Sequence, residues 1–175
     1  RTRDNRLGLQ LALRRAPARR SPNESEDDPE MLYSVMAADE IVVQSAGPLA
    51  GEILTRGRLL DRNGACLCKF QQVLRATRGS RVLDVETRLD PQVLPKGDPW
   101  TTYYAIRWAW SDATADLFCG HGTASLANES ARVESLNYVD IRCERINTTI
   151  LTGGLAYHRR FGLRKLDTPL IVAGE

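Results

Sequence analysis

Histidine and cysteine are scarce, two and four in 175 residues. That excludes a disulfide scaffold, and it leaves too few ligands for a zinc site. Cys66, Cys68, Cys119 and Cys143 form no Cys-x-x-Cys pair, while Cys66 and Cys68, two apart, fall on one face of a strand as small apolar side chains. No run approaches the roughly 18 consecutive apolar residues that span a bilayer, and the amino end has no apolar signal core, so a soluble chain with no membrane partner is expected. Charge of one sign is missing too. Lys and Arg number 24 against 22 Asp and Glu, a balance of +2 that gives no general drive toward nucleic acid. Gly-x-Ser-x-Gly, phosphate-loop and dinucleotide motifs are all absent. No compartment is indicated. The chain opens at Arg1 without a methionine, which reads as a processed chain or a piece of a longer one.

What is present is a folding composition, 42 % hydrophobic and 26 % charged. Leu7, Leu9, Leu11 and Leu13 alternate strictly, predicting a strand with one buried face. Residues of about 15 to 30 then carry a basic cluster, an acidic cluster and three prolines, which predicts a mobile charged loop from Ala16 to Pro29. This opening region, 1–38, precedes a β domain over 39–175.

In that domain strands are expected over Ile41–Ser45, Leu49–Leu60, Cys66–Thr77 and Arg81–Asp90, separated by turn chemistry such as Asn63-Gly64 and Gly79-Ser80. Phe70, Leu74, Leu83, Val85 and Leu89 are expected inside, because alternation gives them the apolar face. Further strands are expected at 103–110, 131–135, 138–143, 148–152 and 169–173. No convincing period of 3.6 exceeds ten residues, so the fold class is all-β, an antiparallel β sandwich.

Two clusters could carry chemistry. All three tryptophans lie between Trp100 and Trp110, and Tyr104, Ile106, Trp108 and Trp110 share one face at period two, which marks core. Trp100, in the preceding loop, is the better ligand candidate. The second cluster, Gly153 to Gly162, brackets Tyr157, His158, Arg159 and Arg160 between glycines and reads as a presenting loop. Tyr157 offers a stacking face, and His158 and Arg159 can take hydroxyls. Trp100, Tyr157, His158 and Arg159 are therefore the candidate carbohydrate contacts. The neutral alternative is a loop whose polar groups serve neighbouring backbone. Asp84 and Glu86 could act as paired carboxylates, but a salt-bridged ladder with Lys69 or Arg75 explains them as well.

Several segments carry a family likeness: Ala46-Gly47-Pro48-Leu49, Gly57-Arg58, Phe70-Gln71-Gln72-Val73-Leu74-Arg75, the run from Gly79 to Asp90, Ala105 to Asp112, and Leu166 to Ile171. Together they resemble the carboxy-terminal β domain of glycoside hydrolase family 38, the α-mannosidases. The resemblance implies a galactose-mutarotase-like supersandwich beside a zinc-bearing α/β barrel that carries the retaining chemistry. That barrel has no counterpart in these 175 residues. The resemblance thus implies a non-catalytic domain with no cofactor of its own, zinc belonging to the barrel, and the barrel together with carbohydrate as its partners. Two alternatives stand beside it: a free-standing carbohydrate-binding or mutarotase-like domain, and a structural interaction module marked by an exposed apolar patch.

Overall fold

A computed structural model describes residues 8–15, 33–144 and 146–173. The predicted loop from Ala16 to Pro29 lies outside the described residues. Thirteen strands occur in chain order: β1 (Gly8–Arg14), β2 (Val35–Ala46), β3 (Ala50–Leu60), β4 (Cys66–Thr77), β5 (Leu83–Pro91), β6 (Tyr103–Ala109), β7 (Asp116–His121), β8 (Ala124–Ala127), β9 (Arg132–Glu134), β10 (Tyr138–Arg142), β11 (Asn147–Leu151), β12 (Tyr157–Phe161) and β13 (Lys165–Val172). The described residues contain no helix, and every strand pairing is antiparallel. The all-β antiparallel class expected from the sequence is the one observed. Two compact units share the chain: Arg1–Leu32 with Pro95–Glu175, and Tyr33–Leu94.

Tyr33–Leu94 is a meander in the order β2-β3-β4-β5. Its turns follow from side-chain chemistry. Asp61 Oδ1 accepts the amides of Asn63 (2.9 Å) and Ala65 (2.8 Å), and Gly64 takes the positive φ of 83° that closes the β3–β4 hairpin. Register puts Leu59, Cys68 and Pro91 on one face, followed by Gly57, Phe70 and Leu89, then Ile53, Leu74 and Val85. The opposite face carries Arg58–Asp39, Arg56–Glu40, Arg75–Glu52 and Arg88–Glu86 ion pairs. Asp84 stands opposite Arg75 in the register, within this ladder of alternating charge.

The apolar face is not uniformly buried. Leu59, Cys68, Phe70 and Gln72 are covered, but Leu74, Val85 and Leu89 are only half-buried and Leu83 is 54 % exposed. Leu83 is thus a correction to the expected core. It sits at the start of the edge strand β5, where alternation sets the direction of a side chain but not whether anything covers it.

The other unit holds two sheets, β1-β6-β13-β12-β9 and β11-β10-β7-β8. Their facing sides share one core of Trp110, Leu117, Cys119, Val133, Val139, Ile141, Ile150 and Leu166, with Trp108 packed against it. Period two in β6 sends Ile106 and Trp108 to the same side, as expected, and the alternating leucines of β1 pair with them, Leu9 opposite Trp108 and Leu11 opposite Ile106. The other face of the five-stranded sheet is buried as well. Ala12, Arg14, Tyr103, Ala105, Arg107, Arg159, Phe161 and Asp167 are each at most 8 % exposed.

Candidate functional site

Trp100 is held by its own turn. Asp98 Oδ1 accepts the Trp100 amide (2.9 Å), and the Asp98 carbonyl accepts the amides of Thr101 and Thr102 and the Thr101 hydroxyl, each at 3.0 Å. The Trp100 carbonyl then receives Nη1 of Arg159 at 2.8 Å and Nη1 of Arg14 at 3.1 Å. Two buried guanidiniums thus converge on one carbonyl, so the indole projects from a rigid base.

The Trp100 and Tyr157 rings meet edge to face, 5.5 Å apart at 82°. The Arg132 guanidinium lies 5.0 Å from the centroid of the Trp100 ring, a cation–π contact. With that face of the indole taken, the accessible ring of the corner is Tyr157, 56 % exposed. Trp100, Tyr157 and Arg159 are therefore brought together, with Arg159 buried beneath and committed to the Trp100 backbone.

His158 points the other way. Residues 157–161 form a strand instead of the expected loop, and alternation turns His158 into the sandwich interior, where it is fully buried. Its Nδ1 lies 3.0 Å from Thr168 Oγ1 and its Nε2 lies 3.3 Å from the Ser135 carbonyl. A carbonyl only accepts, so Nε2 carries the proton and Nδ1 accepts from the Thr168 hydroxyl. Burial holds the His158 pKa below the usual imidazole value.

Beneath the corner, Phe161 is surrounded by guanidiniums. Arg14, Arg159 and Arg107 lie 4.9, 5.2 and 5.7 Å from its ring centroid. Asp167, fully buried, accepts Arg107 Nε at 2.9 Å and the Tyr103 hydroxyl at 3.2 Å. Sequence reading missed Arg14, Arg107, Arg132 and Asp167. Nothing in the sequence signalled them: Arg14, out of phase with the leucines of β1, falls on the side that alternation assigns to solvent, yet it is 1 % exposed.

Among the described residues no three His, Cys, Asp or Glu side chains converge as metal ligands. No helix there is long and apolar enough to cross a membrane. Against family models, curated proteins and solved structures, the chain has no match.

Proposed function

We propose that the chain is a non-catalytic accessory β domain of an α-mannosidase-type glycoside hydrolase, seated against the catalytic barrel of its parent. The observation that carries this is the uncovered end of the apolar face in the Tyr33–Leu94 meander. Ile41 opposite Thr55, Val43 opposite Ile53, and Leu83 opposite Ala76 extend the covered end into solvent. They are 67, 62 and 54 % exposed, and Ile53 beside them is 41 % exposed. Contiguous apolar surface on a sheet marks a docking surface.

The face by itself supports an interaction module. The resemblance to family 38 supplies the barrel as partner, and on that reading the three antiparallel sheets correspond to the family's mutarotase-like supersandwich. Zinc and the reacting carboxylates belong to the barrel. Sugar contact at the Tyr157 corner is a secondary part of the reading.

The test starts with the parent gene, where a barrel with metal-ligating His and Asp residues is expected upstream of Arg1. The separately expressed barrel should bind this chain in calorimetry, and an Ile41→Ser, Val43→Ser, Leu83→Ser variant should weaken binding at least about tenfold. A gene without such a barrel, or binding untouched by the triple variant, overturns the proposal.

A further inference from the structure

A cleft of about 550 Å³ opens in the two-sheet unit, lined by residues of both sheets, and its volume falls in the range of small-molecule sites. Asp116 and Leu117 of β7 form one wall, Asn128 and Glu129 of the β8–β9 connection another, and Arg160 and Leu163 around the β12–β13 turn a third. Neither candidate cluster of the sequence includes this grouping, apart from Arg160.

Arg160 is fixed at both ends. Its amide donates to the Ala131 carbonyl at 2.8 Å, and its Nη1 donates to the Asn128 carbonyl at 3.1 Å. Its Nε is buried and has no acceptor among the described residues. Arg160 as a whole is half-buried and lines the cleft, so its guanidinium presents further N–H donors to an oxygen from outside the chain. Asp116 and Glu129 are exposed carboxylates that carry no ion pair among the described residues. They add acceptor-only groups to the same cleft.

This donor and acceptor set selects a ligand class. A simple anion meets two carboxylates, and a simple cation meets the guanidinium. A hydroxyl both donates and accepts, so a compact polyol satisfies Arg160 with its oxygens and the carboxylates with its protons, while the exposed Leu163 faces its C–H surface. We propose that the cleft around Arg160, Asp116 and Glu129 binds a neutral polyhydroxyl ligand of monosaccharide size. The proposal does not rest on the barrel-bound reading and stands if no barrel partner exists.

The test is a titration of the ¹⁵N-labelled 175-residue chain with methyl α-D-mannopyranoside, methyl β-D-glucopyranoside and myo-inositol, each to about 50 mM, a range that captures millimolar binding. Sodium glucuronate forms a parallel arm. At least one neutral polyol should give saturable shifts in the amides of residues 113–117, 127–131 and 160–163. Glucuronate should bind several-fold more weakly. Asp116→Asn with Glu129→Gln, both on exposed side chains, should weaken the response about fivefold or more while leaving the rest of the spectrum in place. Absence of saturable shifts with all three polyols, shifts confined to Trp100 and Tyr157, glucuronate binding as tight as the neutral sugars, or an unchanged double variant would each overturn it.

Discussion

Trp108 and His158 meet on a single hydroxyl. The Trp108 indole N–H donates to Thr168 Oγ1 at 3.1 Å, and that hydroxyl lies 3.0 Å from His158 Nδ1. With Nε2 donating to the Ser135 carbonyl, the chain Trp108, Thr168, His158, Ser135 runs in one direction through the core. Ser135 also ties this chain to the four-stranded sheet by a separate bond, its Oγ accepting the Gly120 amide at 3.1 Å. A neutral imidazole is required for this order.

The pH dependence follows from that requirement. Burial lowers the folded pKa of His158 below the unfolded value of about 6.5, so the unfolded chain binds the proton first and stability falls as pH drops through about 6.5. Urea unfolding between pH 8 and pH 5 should lose stability on the acid side, with a limiting slope of about 1.4 kcal/mol per pH unit from this group. In His158→Gln the acid-side slope should shrink by that contribution; an undiminished slope would assign it to other groups.

Asp167 is the carboxylate that answers the guanidiniums around Phe161. Replacing it by Asn leaves Arg107 without its charge partner in a buried setting, where removing one member of a pair costs about 3–5 kcal/mol. Equilibrium urea denaturation of Asp167→Asn checks this, and a loss under about 1 kcal/mol would show that the cluster is supported in another way.

Two glycines should respond differently to alanine. At Gly57 a Cβ would collide with the Ala37 carbonyl and lie 2.7 Å from the Phe70 ring, so backbone must shift between β2 and β3. At Gly64 there is open space, and the cost is that of the positive φ alone, about 1–2 kcal/mol. Gly57→Ala should be the more destabilising and should raise amide exchange across β2. Equal losses, with exchange in β2 unchanged, would contradict the contact.

Cysteine reactivity gives a check on burial. Cys68 has its pKa pushed up to about 11, chiefly by burial, and burial raises that of Cys119 too. Iodoacetamide at pH 8 should leave both unmodified in the native chain and modify both in urea, read by peptide mass spectrometry. Native modification of either would mean that its strand opens.

The meander was the most legible part of the sequence. Asn63-Gly64 and Gly79-Ser80 name their turns, and alternation from Cys66 to Asp90 places each side chain on its face. β12 was illegible for a physical reason. From His158 to Phe161 its side chains are buried or half-buried on both faces, but Tyr157, His158, Arg159 and Arg160 are polar, so hydropathy shows no period. Burial there is satisfied by rings, carbonyls and a hydroxyl contributed from distant positions, partners that local spacing does not reveal. Tyr157 and Trp100 were legible as candidates because exposed aromatics beside turn residues stand out. Arg132, which covers the indole, carries no such mark.

β1 lies at the edge of the five-stranded sheet, and its strand neighbour is β6, about ninety positions later. During synthesis the leucines of β1 leave the ribosome long before Tyr103–Ala109 exists to pair with them. The whole of Tyr33–Leu94, a meander of local hairpins, is made in between and can close first. Until β6 arrives, the nascent chain carries an apolar strand with no mate, and this interval is when it is most exposed to wrong pairing with other chains.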